Sequence, residues 1–163
     1  MAAPLVLHRA RVAPEWIDYN GHMNEAYYVL VFSQATDALM DHVGLDDPYR
    51  RRNGLTLYTL EAHVRYLVEV GVGVGLRVAT RLLDHDAKRL HLHHTMLRDD
   101  DSEEHLATSE QMLMHIDIKG PRATPFAPKI AARIAAIAAD HAALPALDGR
   151  SPCIAIRRRA RDG

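Results

Sequence analysis

A single cysteine, Cys153, is the only thiol in this chain of 163 residues. No intrachain disulfide can form, and a reducing compartment is the expected setting. A thiol so close to the C-terminus is not expected to act as a nucleophile. Long apolar runs are also missing: none approaches the roughly 18 residues that read as a membrane-spanning helix. The opening "MAAPLVLHRARV" lacks the basic region and apolar core of a secretion signal. Neither sign of charge dominates, since 20 basic residues face 21 acidic ones for a net charge of −1. Such a balance gives no global attraction to nucleic acid or to a membrane. The expectation is a soluble, cytoplasmic protein in which a local basic patch meets any anionic ligand.

Rings are scarce as well. Two Phe, one Trp and six Tyr make nine, and Trp16, Tyr19, Tyr27 and Tyr28 fall together in "WIDYNGHMNEAYY". Before this stretch, Leu5 to Val12 reads as a strand halted by Pro14. After it, apolar residues at Ala26, Val29, Leu30, Ala35, Leu39 and Val43 recur at helical spacing from about Asn24, with Gly44 placed to end the helix. "DDPYRRRNG" reads as a polar loop. Extended runs follow: "LTLYTLEAHVRYLV", then "VGLRVATRLLD" with Val74, Leu76, Val78, Thr80 and Leu82 on alternate positions, then "RLHLHHTML" across a "HDAK" turn, and finally "HLATSEQMLMHIDI". Strand, long helix and antiparallel meander in that order predict an α+β domain with the helix packed on one face of a curved sheet. The length suits one domain, spanning 1–126, followed by a segment at 127–163 that holds an Ala-rich helix and a patternless tail.

Asp18 lies just ahead of the long helix. A carboxylate there can complement the helix dipole, but Asn24, six residues on, is the better cap. Asp18 is therefore free for other work. Gly21 permits a turn with φ > 0, and the first peptide N–H groups of the helix, near Asn24 and Glu25, point out unpaired at its positive end. A carboxylate nucleophile or base beside such donors is what acyl transfer needs. His22 is either a general base or a loop-fixing side chain.

The run Asp18, Tyr19, Asn20, Gly21, His22, Met23, Asn24, with Tyr27 or Tyr28 after it, resembles the "D-x-x-G-H-x-N…Y" signature of hot-dog fold acyl-CoA thioesterases of the 4-hydroxybenzoyl-CoA thioesterase type. The later "VRYLVEVGVGVGLRV" resembles that family's strand–turn–strand passage. Within the family, "WIDYNGHMNEAYYVLVFSQATDALMDHVGL" is similar to betainyl-CoA thioesterases of carnitine breakdown. The resemblance implies a long central helix wrapped by an antiparallel sheet, and a homodimer, with tetramers open, whose sites lie between subunits. It also implies an acyl-CoA substrate, no cofactor, Asp18 as nucleophile or general base, and oxyanion donors at the Asn24 and Glu25 amides.

The rings are either core packing or a cage for a quaternary ammonium, which gains roughly 0.5–2 kcal/mol over a ring face. Trp16, Tyr19, Tyr27 and Tyr28 are the cage candidates, with Glu61 as a counter-charge or a plain solvent-facing strand residue. Arg65, Arg81, Lys88 and Arg89 are candidates for the CoA phosphates, each with solvated surface charge as the alternative. The tail cluster Arg157, Arg158, Arg159 and Arg161 reads as a solubilising end. On a strand His91 and His93 share a face while His94 points away, so a third metal ligand would have to come from elsewhere; no metal is expected. Two other functions stay open: a hot-dog enoyl-thioester hydratase or dehydratase pairing Asp18 with His22, although the "G-D-x-N-P-x-H" run of that family is absent, and a non-catalytic dimer that binds acyl-CoA or a quaternary amine.

Overall fold

The protein's structure, a computed structural model, describes residues 2–100, 102–147 and 152–158. Its elements run β1 (Leu5–Arg11), α1 (Glu25–Val43), α2 (Asp47–Asn53), β2 (Leu55–Tyr66), β3 (Gly75–His85), β4 (Arg89–Arg98), β5 (His105–Asp117), β6 (Arg122–Ala123) and α3 (Pro128–Ala142). The strands form one antiparallel sheet in the order β1-β3-β4-β5-β2, with β6 paired to β5. The sheet curls around α1 in the hot-dog arrangement implied by the motif.

The boundaries of α1 follow from chemistry at its ends. Asn24 is the N-cap, its side-chain oxygen accepting the Ala26 N–H at 2.9 Å. Gly44 closes the helix with φ 97°, a conformation that only glycine adopts at little cost. The buried face of α1 carries Tyr28, Val31, Phe32, Ala35, Leu39 and Val43. Its first half meets Val12, Leu76, Val78, Met96 and Leu106; its second half meets Leu90, Leu92 and Leu113 together with Ile130 and Ile134 of α3. In β3, the expected alternation holds, with Leu76, Val78, Thr80 and Leu82 buried.

A polar cluster sits inside this apolar layer. His94 is fully buried, with Nε2 3.0 Å from Thr36 Oγ1 and Nδ1 2.9 Å from Thr80 Oγ1. Thr36 Oγ1 also lies 3.0 Å from Gln111 Oε1. With the single Thr36 hydroxyl proton directed to Gln111, His94 is satisfied as a neutral ring that donates from Nε2 and accepts at Nδ1.

Two expectations are corrected. "DDPYRRRNG" is the short helix α2, not a loop. Asp46 accepts the Tyr49 N–H as its cap, Asp47 and Arg51 pair at i,i+4, and Gly54 ends it with φ 67°. The meander is limited to β3, β4 and β5, because β2 crosses to the far side of β5. As a result β2 is an edge strand, and its residues Tyr58, Leu60 and Tyr66 are partly exposed apolar groups. The tail, patternless in sequence, is ordered over 152–158: Ile154 and Ile156 are buried against Met112 on the sheet face away from α1. Of the tail arginines, Arg158 pairs with Asp84 at 2.7 Å, while Arg159 and Arg161 lie outside the described residues. Among the described residues, no helix is long and apolar enough to cross a membrane.

Candidate active site

The loop that carries Asp18 is pinned at both ends. Ile17 and Met23 form a bridge, and the Asp18 N–H donates to the His22 carbonyl at 3.0 Å. Gly21, with φ 82°, turns the chain back and donates to the Asp18 carbonyl at 3.0 Å. The Met23 N–H reaches Val70 O at 2.8 Å, which ties the loop to the segment after β2. The Asp18 carboxylate accepts the Asn20 N–H through Oδ1 at 2.8 Å. That single bond orients the group and leaves Oδ2 without a protein partner among the described residues.

Asp18 opens onto a cleft of about 530 Å³ shared with His22, Glu25, Tyr28, Tyr66 and Glu69. The α1 N-terminus forms one wall. The two amides proposed as oxyanion donors differ: the Asn24 N–H is already taken by Trp16 O at 2.9 Å, because the loop must fold back to bring Asn24 into its capping position. The Glu25 N–H, the first of the helix, has no protein acceptor among the described residues and keeps the positive end of the α1 dipole. The donor reading therefore narrows to Glu25, with Asn24 as the cap that fixes it.

His22 places Nδ1 3.2 Å from Glu69 Oε2. That ring nitrogen faces Glu69, so the Asp18–His22 pair that a hydratase would need is not formed. Three carboxylates, Asp18, Glu25 and Glu69, line the cleft, and no Lys or Arg among the described residues does. Tyr28 and Tyr66 meet edge to face with centroids 5.4 Å apart. Burial pushes both hydroxyls above their ordinary pKa, and the Glu25 charge adds to the effect at Tyr66. The Tyr28 hydroxyl donates to Val68 O at 3.2 Å.

The other ring candidates go elsewhere. Trp16 and Tyr27 stack on each other, with centroids 5.2 Å apart, and pack against the core. Tyr19 is 97% exposed at the loop tip. Of the four rings grouped by sequence only Tyr28 lines the cleft. Tyr66 and Glu69 were not singled out, although both lie within the quoted "VRYLVEVGVGVGLRV"; no local pattern links them to Asp18, and only the fold does. Glu61 is exposed at a register shift of the β2 edge and does not face this cleft.

The basic candidates also separate. Arg65 immediately precedes Tyr66 and lines a second cavity with Arg81, on the sheet face opposite α1; Leu67 borders both cavities. Arg81 is held by the carbonyls of Pro145 and Leu144. Lys88 and Arg89 form the β3–β4 turn, where Arg89 is bound by Asp86 at 2.6 and 2.8 Å. Arg89 aligns with Met114 of β5 and Tyr66 with Ala107. Seven positions at about 3.3 Å each put that turn roughly 23 Å along the strand from the cleft.

The thioesterase-like superfamily matches residues 12–134 of the chain. A betainyl-CoA thioesterase of Pseudomonas aeruginosa is 49% identical over 149 residues, covering 91% of this chain and 93% of the relative. A bifunctional L-carnitine dehydrogenase/betainyl-CoA thioesterase of Agrobacterium fabrum is 50% identical over 127 residues, which are 78% of this chain but 26% of that longer protein. Among solved structures, a Staphylococcus aureus protein in complex with CoA superposes with TM-score 0.82 at 29% identity, covering 95% of this chain and 99% of that one. A Pseudomonas putida protein assigned as a thioesterase gives TM-score 0.76 at 40% identity, covering 94% and 98%.

Proposed function

The chain belongs to the thioesterase-like superfamily and is an acyl-CoA thioesterase, and from that premise we propose that it hydrolyses betainyl-CoA to glycine betaine and CoA, with the Asp18 carboxylate as nucleophile or general base. The observation that carries this reading is the composition of the cleft: three carboxylates and two tyrosine rings, with no Lys or Arg among the described residues. A trimethylammonium group has no proton to donate. It is held by charge and by ring faces, and each ring contact contributes roughly 0.5–2 kcal/mol. The Pseudomonas aeruginosa relative, named for this substrate, is similar over nearly its whole length.

In this mechanism the thioester carbonyl lies between Asp18 and the Glu25 N–H. Asp18 either attacks the carbonyl carbon through Oδ2 or takes a proton from an attacking water. The oxyanion that forms receives the Glu25 N–H at the positive end of α1. Collapse expels the CoA thiolate, which is protonated by solvent, and the acyl group leaves as a carboxylate once water has added. In the nucleophilic variant, water then cleaves the acyl–Asp18 anhydride. His22, tethered to Glu69, orients the loop and does not carry the proton.

The exposed apolar edge of β2 supports assembly of a homodimer through that strand. Arg65, next to Tyr66 in the chain but facing the second cavity, is then the nearest in sequence to the cleft of the four basic candidates for the CoA phosphates. A test compares betainyl-CoA with its neutral isostere, in which tert-butyl replaces trimethylammonium. The cationic substrate is expected to be favoured by at least about tenfold in kcat/KM, the equivalent of about 1.4 kcal/mol. Equal values would refute the substrate reading and leave thioester hydrolysis intact.

A further inference from the structure

Glu110 of β5 is 6% exposed and sits on the sheet face opposite α1, far from the work of Asp18. The antiparallel register sets His63 of β2 directly beside it on one side and His93 of β4 on the other. The C-terminal segment then closes over this row. The Cys153 N–H donates to Glu110 Oε2 at 2.8 Å and the Ile154 N–H to Oε1 at 2.8 Å. His91 adds its Nε2 at 2.8 Å from Oε1. These bonds fix the carboxylate and bring the chain's single cysteine to it. One ligand atom each from His63, Glu110 and Cys153 lies within 4.8 Å of the others.

A carboxylate offers about four lone-pair sites. The bonds from His91, Ile154 and Cys153 use two on Oε1 and one on Oε2, so a site on Oε2 remains. Imidazole, carboxylate and thiolate together make a nitrogen, oxygen and sulfur donor set. It suits a borderline-soft transition metal and not calcium or magnesium, which take oxygen ligands. Tetrahedral bonds of about 2.0–2.3 Å would bring the donors to about 3.5 Å from one another. His63 and Cys153 are exposed and free to close that gap, while Glu110 stays fixed. The fourth position faces the cavity that all three residues line.

We propose that His63, Glu110 and Cys153 bind a divalent transition-metal ion, zinc by the character of the donors, which staples the C-terminal segment to the sheet. Binding displaces the Cys153 thiol proton to solvent and involves no redox step. His91 is a positioning residue that holds the carboxylate from outside the ligand set.

The experiment titrates full-length, chelator-stripped protein with Co²⁺ and then Zn²⁺. One equivalent of Co²⁺ per chain is expected, with a near-ultraviolet thiolate-to-cobalt charge-transfer band that Zn²⁺ displaces. Cys153→Ser and His63→Gln alter exposed side chains, and circular dichroism checks that both variants fold. The first loses the band, and in both the metal affinity falls by more than about 100-fold, beyond the 10–100-fold expected for an outer-shell change such as His91→Gln. Zn²⁺ raises the Tm of the wild type and leaves that of Cys153→Ser unmoved. Absence of a charge-transfer band in the wild type, or equal affinity in Cys153→Ser, would overturn the site.

Discussion

Lowering the pH from about 7.5 to about 4.5 should destabilise the fold through its buried histidine rings, of which His94 is the most deeply buried. His94 is closed off from water, and burial pulls its pKa from 6.5 down to about 3; the neighbouring His93 charge pulls the same way, and Gln111 opposes it. Between those two values the unfolded chain binds a proton at this site and the folded chain does not. Stability therefore falls as the pH drops below about 6.5, and the loss levels off near the folded pKa. The slope for one such proton is about 1.4 kcal/mol per pH unit, so two units below 6.5 remove roughly 2–3 kcal/mol. That is a large share of the 5–15 kcal/mol typical of a domain. The assay is urea unfolding at a series of pH values, with m held as the test of two-state behaviour. His94→Gln can still hydrogen-bond Thr36 and Thr80, and should flatten the profile by about one proton's slope. An identical pH slope in the wild type and in His94→Gln would rule out His94 as a source of the acid sensitivity.

Other perturbations have defined outcomes. Phe32→Ala removes a fully buried ring from the centre of α1 and should cost about 3–5 kcal/mol in urea unfolding. Asn24→Ala loses the cap on the Ala26 N–H; stability should drop by about 1 kcal/mol, and kcat should fall more than KM rises, because the donor at Glu25 is no longer fixed. Tyr66→Leu keeps an apolar wall but removes a ring from the cleft. It should reduce kcat/KM for betainyl-CoA about tenfold while changing the tert-butyl isostere little; equal losses for both would assign Tyr66 to packing.

What the sequence made legible was periodic or local. The Asn24 cap and the Gly44 stop are both read within a few residues, and the α1 boundaries follow. The alternation of β3 is likewise a local pattern, because one of its faces lies against α1. Helix α2 was missed because its seven residues bury no side chain, so no apolar period marks it. The crossover of β2 to β5 is a matter of pairing partners, to which alternation within a strand is blind. The same limit governs the site. Asp18, His22 and Glu25 are neighbours in sequence, whereas Tyr66 and Glu69 reach the cleft only because the segment after β2 is bonded to Met23. Conversely, four rings close in sequence diverge in space, since Trp16 and Tyr27 satisfy each other. His63, Glu110 and Cys153 come from two strands and the tail, with no spacing that announces them.

The proposed hydrolysis depends on the Asp18 carboxylate above every other group in the cleft. Asp18→Asn keeps the size of the side chain and an oxygen to accept the Asn20 N–H, so the loop should hold. Steady-state hydrolysis of betainyl-CoA, followed as free CoA, is expected to fall by at least about 100-fold in kcat, the scale of losing a principal acid–base or nucleophilic group, with the unfolding curve unchanged. Full activity in a correctly folded Asp18→Asn enzyme would contradict a chemical role for this carboxylate.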